Sequence, residues 1–429
     1  LEAIPGLDCI VRFEGELTLL NLVQSLAEGK EWRGLLGLAY RQDGEIVLNP
    51  LRPLIDDLDM LPWPMRRGAT YECLGTTVTS IVASRGCPQG CAFCSIRRFY
   101  AIPPGPLRRV RRAAEVVREM RSLYRDANVR IFLFQDDDFS FLSRRDRRWV
   151  RDFLDALEHQ GLADTVLWKI NTRADEVDSE LFAAMKARGL FLVYLGIESG
   201  NEVGLRVLNK RITVSQNRAA IAQLKGLGIG YQFGFMLFDP SSTVERVLEN
   251  IAFLRTVTGD GSAPIPFCKM LPYAGTDIER RLKEEGRLTD DLYHPDYTFL
   301  DERVGEWFDY LSQVFVPWSH GNRSLLSHLR WTHFETEVLE RLFPETPGLL
   351  EHRALVRDLT AWHNEIFCRV VEESAPFFGA EKVSGSHEAL RALYRSAEEQ
   401  RRWLQGRLGE ARAEILKRAG ISTAWVTAG

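Results

Sequence analysis

Val78-Thr79-Ser80-Ile81-Val82-Ala83-Ser84-Arg85-Gly86-Cys87-Pro88-Gln89-Gly90-Cys91-Ala92-Phe93-Cys94 joins an apolar run to a loop that carries three thiols. The run predicts a buried strand over 78–83. Five more such runs occur at helix-length intervals, near 129–134, 166–170, 191–195, 230–237 and 266–271. The helical patterns between them have ends with the right chemistry. Ser143 with Asp146 resembles a capping box, Asp178 can cap the segment before Lys186, and Gly189 sits where a left-handed stop is wanted. Strands alternating with helices mean a parallel sheet with right-handed crossovers. Six units fall short of the eight that close a barrel, so the expected fold is α/β, an open (β/α)6 partial barrel over 76–290. In that geometry chemistry collects at the carboxyl ends of the strands, where the cysteine loop begins.

Outward from this segment the pattern changes on both sides. Residues 9–13 read as a short strand and 18–27 as an amphipathic helix ending near Gly29. One strand and one helix cannot bury both faces of a sheet. Residues 1–30 therefore either dock on the rest of the chain or, the favoured reading, continue strand–helix repeats lying outside the given chain. Over 31–75 a hairpin is expected at 38–48, with Asp43-Gly44 supplying positive φ angles. A connector rich in proline and acid, 50–64, reads as a tether. Over 291–429 helical patterns dominate, with large aromatics at Trp307, Phe308, Tyr310, Phe315, Trp318, Trp331 and Phe334. These are read as core, His320, His328 and His333 as satisfied or exposed histidines, and the charged helix over 397–417 as a solvated face.

The 429 residues are 45% hydrophobic and 27% charged, the mix of a globular protein with ample core. With 55 basic and 59 acidic side chains the net charge is −4, which argues against a general nucleic-acid or lipid binder. No window approaches the length of a membrane span. Seven cysteines, three of them crowded into 87–94, suggest cluster or metal ligation in a reducing compartment, so a cytoplasmic location is expected.

The spacing C-x3-C-x2-C gathers Cys87, Cys91 and Cys94 on one short loop. Gly86 and Gly90 permit tight bends and Pro88 restricts the path. Three thiolates can hold three irons of a cubane and leave the fourth corner open, where four cysteines would close it. A structural zinc site recruiting Cys73 or a distant histidine is the competing reading, and three unligated buried thiols a weaker one. Cys9, Cys268 and Cys368 are taken as ordinary small buried residues.

Cys87, Cys91 and Cys94, with Phe93 before the last, resemble the signature of the radical S-adenosylmethionine (SAM) superfamily, and the resemblance extends over about 76–290. It implies a [4Fe–4S] cluster whose open iron binds SAM, and reductive cleavage to methionine and a 5′-deoxyadenosyl radical. It also implies a flavodoxin- or ferredoxin-type reductant. By the same resemblance the strand ends supply SAM contacts: Asp136 and Asp137 for the ammonium group, Arg173 for the carboxylate, Asn171 for the ribose, and Glu198 with Ser199 at the rim beside Phe93. Each has a plainer reading: Asp136 and Asp137 as a helix N-cap cluster, Arg173 as a salt bridge to Asp175. Ser242 or Thr243 can simply cap the next helix, and Tyr273 is placed toward substrate.

Arg12-Phe13-Glu14-Gly15-Glu16, the Asp43-Gly44 hairpin and the approach from Leu58 to Pro64 resemble the cobalamin-binding branch of that superfamily. In that branch a Rossmann-like cobalamin domain precedes the barrel, and 1–30 would be its last strand and helix. No Asp-x-His-x-x-Gly motif occurs, so no cobalt ligand can be named. The resemblance implies cobalamin-dependent methylation of an unactivated carbon in a small metabolite. Rearrangement, cyclisation or oxidation without methyl transfer stands beside it, and a zinc or cluster scaffold is the reading from another class. No small basic β-domain that would grip RNA is apparent, so neither nucleic acid nor membrane is expected as a partner.

Overall fold

The computed structural model describes residues 1–66, 71–139, 143–289, 294–379 and 386–421. Strand β1 (Cys9–Val11) and helix α1 (Glu16–Ala27) precede a hairpin, β2 (Leu38–Gln42) and β3 (Glu45–Leu48). Asp43 and Gly44 have φ of 51° and 87°, as that turn requires. β1 pairs antiparallel with β2, making a three-stranded sheet.

Next come β4 (Tyr71–Cys73), β5 (Thr76–Ile81), β6 (Ser84–Arg85), α2 (Ser95–Ala101), β7 (Arg109–Val110), α3 (Ala113–Ala127), β8 (Val129–Phe134) and α4 (Arg144–His159). β9 (Leu167–Arg173), α5 (Ser179–Lys186), β10 (Leu190–Glu198), α6 (Glu202–Val207), α7 (Val214–Leu227), β11 (Gly230–Phe235) and α8 (Val244–Thr258) continue the alternation. The main sheet has the order β11-β10-β9-β8-β5-β4, in which all pairings are parallel except β4 with β5. Five of the six expected strands are thus parallel neighbours. The sixth, expected at 266–271, touches the sheet through a single parallel bridge, Phe238 to Lys269. Pro264, Pro266 and Pro272 surround it, and proline cannot donate to a ladder.

Ser143 accepts a hydrogen bond from Asp146 N–H at the start of α4, and Asp178 accepts one from Leu181 N–H at the start of α5. Gly189 has φ +96°, and a Cβ there would lie 2.2 Å from the Val166 carbonyl oxygen, so the turn into β10 needs glycine.

Strand periodicity sorts the core into two faces. Phe132, Phe134, Trp168, Ile170, Val193, Leu195, Phe233 and Phe235 face outward against α3, α4, α5, α7 and α8, in the larger core. Val78, Ile131, Leu167 and Leu192 face the other way and meet Phe334, Val338 and Leu339 with Ile415 and Leu416. Those partners belong to α11 (Leu325–Leu342) and α13 (Ser386–Arg418), which come after α9 (Asp277–Glu284) and α10 (Glu302–Ser319) and flank α12 (Leu349–Ser374). The C-terminal helices therefore plug the inner face of the curled sheet at its amino end. The aromatic residues read as core are core in the main, with Trp307, Phe315 and Trp318 fully buried and Trp331 exposed. α13 is solvated on one side only, since Leu404, Leu408 and Leu416 are buried. Among the described residues no helix is long and apolar enough to cross a membrane.

The connector is packed, which corrects its reading as a tether. Leu54, Ile55 and Leu58 are buried, and Asp59 accepts hydrogen bonds from Arg111 and Arg112. The N-terminal unit docks as well. Glu14 accepts from Arg109 Nη1 at 2.7 Å, Arg85 Nη1 at 3.0 Å and Ile55 N–H at 3.0 Å. Burial alone would raise the Glu14 carboxyl, but bonds from Arg109, Ile55 and Arg85 outweigh it and hold the group below its ordinary value. Such a depressed carboxylate stabilises the fold above its unfolded pKa, and that contribution is lost as pH falls through the folded value. Glu14→Ala strands the buried Arg109 and is expected to cost about 3 kcal/mol at pH 7. The difference from wild type should shrink below about pH 4. Urea midpoints at the two pH values check both statements; an unchanged midpoint at neutral pH contradicts them.

Candidate active site

The cysteine loop is built by the end of β8. Asp136 is 1% exposed and accepts Ala83 N–H at 2.9 Å and the Ser84 hydroxyl at 2.6 Å. Asp137 accepts Gly86 N–H at 2.8 Å. Gly86 has φ +83° and its Cβ would sit 1.8 Å from the Leu107 carbonyl oxygen, so no other residue fits. From the other side a turn after α6 grips the loop. Ala92 N–H donates to Leu208 O at 2.9 Å and the Asn209 amide to Gly90 O at 2.5 Å. Asn209 and Arg211 are both left-handed there, at φ 49° and 59°, a local strain that the surrounding contacts impose.

Cys87, Cys91 and Cys94 are free and half-buried. Burial, the Asp138 charge and the other two cysteines push the Cys87 thiol up to about 12. Burial and Cys91 also raise Cys94, against Lys210. The three sulfurs therefore share one electrostatic neighbourhood, and a cationic iron centre is what would hold them as thiolates. Arg173 Nη1 lies 3.6 Å from Cys91 Sγ. Cys73, the proposed fourth zinc ligand, is buried in the inner-face plug with Val78 and Phe334. Among the described residues no trio of Cys, His, Asp or Glu is gathered tightly enough for one metal ion. Cys73 lies in the apolar core and not in the cysteine loop.

The three carboxylates after β8 have three fates, none of them an N-cap. Asp136 clamps β5, and burial pushes it up to about 6 despite its two bonds. Both its oxygens are engaged inside the protein. Asp137 is the exposed member and faces the loop. Asp138 is buried near Glu176; burial raises both, and the Asp138 charge raises Glu176 further, so the pair retains a proton.

Glu198 ends β10 at φ +65°, where the register with β11 shifts, and its carboxylate pairs with buried Lys210 at 3.1 Å. Gly196, two residues back, must be small, because a Cβ would lie 2.7 Å from Lys210 Nζ. Arg173 forms the expected salt bridge to Asp175 at 3.0 Å and also donates to the Lys210 carbonyl at 2.8 Å. Two other residues expected at SAM also bond within the protein. The Asn171 amide donates to the Asp136 carbonyl at 3.0 Å. Ser199 is buried in a network with Asn250 and Asn201. Both residues tie strand ends together. Phe93 packs half-buried on the main core. Thr243 caps α8 and the Ser242 hydroxyl accepts Asp239 N–H, so these are structural. Tyr273 is half exposed. Of the remaining cysteines Cys368 is buried, Cys9 half-buried and Cys268 exposed, which corrects the reading of the last.

The profile of the radical SAM superfamily matches residues 81–254, the stretch from the cysteine loop to α8. Residues 81–254 are thus a radical SAM domain. An uncharacterized methyltransferase of Pyrococcus horikoshii is 31% identical over 277 residues, covering 64% of this chain and 58% of that protein. The anaerobic magnesium-protoporphyrin IX monomethyl ester cyclase of Rubrivivax gelatinosus is 30% identical over 294 residues, covering 65% and 51%. This chain thus spans little more than half of either relative. Among solved structures the cobalamin-dependent SAM radical enzyme OxsB with aqua-cobalamin bound superposes with a TM-score of 0.65 at 16% identity, over 96% of this chain and 66% of that one. That likeness is one of fold.

Sequence reasoning missed Lys210 and the 208–212 turn of this radical SAM domain. Their only signal was a lysine between Asn209 and Arg211, without strand or helix periodicity. Asp136→Asn puts an amide where only acceptors fit and is expected to cost about 1–3 kcal/mol. The exposed Asp137→Asn should cost less. Urea midpoints of the two variants test this; equal losses contradict the assigned roles.

Proposed function

We propose that this radical SAM protein holds a [4Fe–4S] cluster on Cys87, Cys91 and Cys94 and methylates a carbon of a small metabolite with cobalamin. The observation that carries the reading is the set of three free thiols at the carboxyl end of a parallel sheet whose inner face is polar beneath them. When bound, the cluster supplies one-electron cleavage of SAM, from an external reductant, and cobalamin supplies the methyl group. The chain's own residues do the positioning. Gly86 and the Asp136 clamp set the loop, and Arg173 stands beside Cys91. Asp137, exposed beside the loop, suits the SAM ammonium group, and Glu198, strained into place and charge-matched by Lys210, suits the rim. Phe93, between two of the ligand cysteines, closes the loop against the core.

The N-terminal unit is read as the last strand and helix of a cobalamin-binding domain. Leu19, Val23 and Leu26 form an exposed apolar stripe on α1, the face that another layer of such a domain would cover. A second reading, cyclisation without methyl transfer, is favoured by the cyclase relative.

Anaerobically reconstituted protein should turn brown and release 5′-deoxyadenosine from SAM under reductant. Cys87→Ala, Cys91→Ala or Cys94→Ala should each abolish both, while Cys268→Ala retains the colour. A wild-type protein that stays colourless and leaves SAM intact overturns the proposal. A product heavier by one methyl group, formed only with cobalamin, separates methylation from cyclisation.

A further inference from the structure

Above the apolar plug, the inner face of the sheet turns polar one step along β9 and β10. Leu167 gives way to Lys169 on β9, and Leu192 to Tyr194 on β10. The next step carries Gly196 and Gly234, which pair directly across β10 and β11. A Cβ at Gly234 would lie 3.0 Å from the Tyr194 hydroxyl and 3.2 Å from a Glu198 oxygen. The glycines thus leave room beside Tyr194, which stays 36% exposed in spite of the protein around it. Cys268 opens onto the same space: solvent reaches it, yet enclosure raises its thiol to about 11, with Glu198 and Arg330 the charges it senses. Arg330 comes from α11, the helix that plugs the sheet below; it is half-buried and lies one helical turn before Phe334, whose ring meets that of Phe191 on β10 at 5.2 Å.

Two cations therefore belong to this part of the molecule, Lys169 on the inner face of β9 and Arg330 on the helix that covers it. Lys169 Nζ lies 5.6 Å from the centre of the Tyr194 ring and donates to the Asn171 side chain. Among the described residues no carboxylate forms an ion pair with Lys169 or with Arg330. Glu198, the acid beside Tyr194, is matched by Lys210. Burial lowers Lys169 to about 8 and lowers Arg330 too, the expected result of partly desolvated cations that lack a counter-charge. Both remain cationic at neutral pH.

We propose that Lys169, Tyr194 and Arg330 form the anchoring end of the substrate site and bind an oxyanion of the substrate, a carboxylate or a phosphate. This rests on the reading of the inner face as the substrate chamber of a radical SAM enzyme. Two cations and a phenol at one end of the chamber, with the cysteine loop at the strand ends, hold the charged end of the substrate and turn the rest toward the cluster. Arg330 offers a planar fork suited to either oxyanion, and Lys169 a point charge.

The test uses the full chain with its cluster reconstituted, and methylphosphonate and acetate as probes. Calorimetry should show at least one probe binding wild-type protein, with affinity falling at least about tenfold in Lys169→Met and in Arg330→Met. Lys169→Arg and Arg330→Lys should keep most of it. SAM affinity and deoxyadenosine release without substrate should be unchanged, which separates this proposal from the cluster assignment. Should a Met variant fail to fold, acylation of Lys169 in wild-type protein, read by peptide mass spectrometry, should be slowed by the same probe. The proposal is overturned if neither probe binds or protects Lys169, if the Met variants bind as wild type, or if they lose SAM affinity instead. The last result would assign the cations to the carboxylate of SAM.

Discussion

The carboxylate of Asp136 links the end of β8 to the first residues after β5, and the cysteine loop hangs from that link. It is fully enclosed, accepts a backbone N–H and a hydroxyl, and stays largely ionised at neutral pH although burial raises it to about 6. Charge-assisted bonds of this kind are the stronger class, and removing one partner in an enclosed place leaves a polar group unsatisfied. The loop then has one course available. Gly86 passes under the Leu107 carbonyl, the backbone turns at Pro88 and Gly90, and the 208–212 turn closes over Ala92. Without this clamp the three thiols would be a flexible triplet, and a cluster would have to order them as it bound.

The two faces of the sheet divide the work. Outward residues are large and apolar and bury five helices, which sets the spacing of the strands. Inward residues are apolar only where α11 and α13 plug the amino end, then become Lys169, Tyr194, Gly196 and Gly234 toward the site. The C-terminal helices are therefore part of the sheet's architecture, because α11 and α13 close its inner face at the amino end. The docked N-terminal unit reaches the same loop from outside through Glu14 and Arg85, coupling any domain attached there to the cluster end of the barrel.

Legibility differed by the range of the interaction involved. Strand positions, the Ser143 and Asp178 caps and the Asp43-Gly44 turn depend on neighbours in the chain, and each was readable from neighbours in the chain. The last strand misled, because its apolar pattern at 266–271 is flanked by prolines that limit it to one bridge. The acidic run after β8 was legible as chemistry but not in detail. Asp136, Asp137 and Asp138 are adjacent in sequence and alternate in direction, so one is a clamp, one is exposed and one shares a proton with Glu176. Asn171 and Ser199 bond within the fold to the Asp136 carbonyl and to Asn250, partners 35 and 51 residues away that no local pattern signals.

By itself the sequence determined the trio of cysteines, their spacing and their place after the first strand, because ligand spacing on one loop is a local property. It also determined the alternation of strand and helix, because periodicity is local too. Tertiary structure alone decided which polar groups meet across strands: Lys210 with Glu198, Arg173 with Cys91, Lys169 with Tyr194. Those partners are separated by anything from 12 to 82 residues, and only the curl of the sheet brings them together.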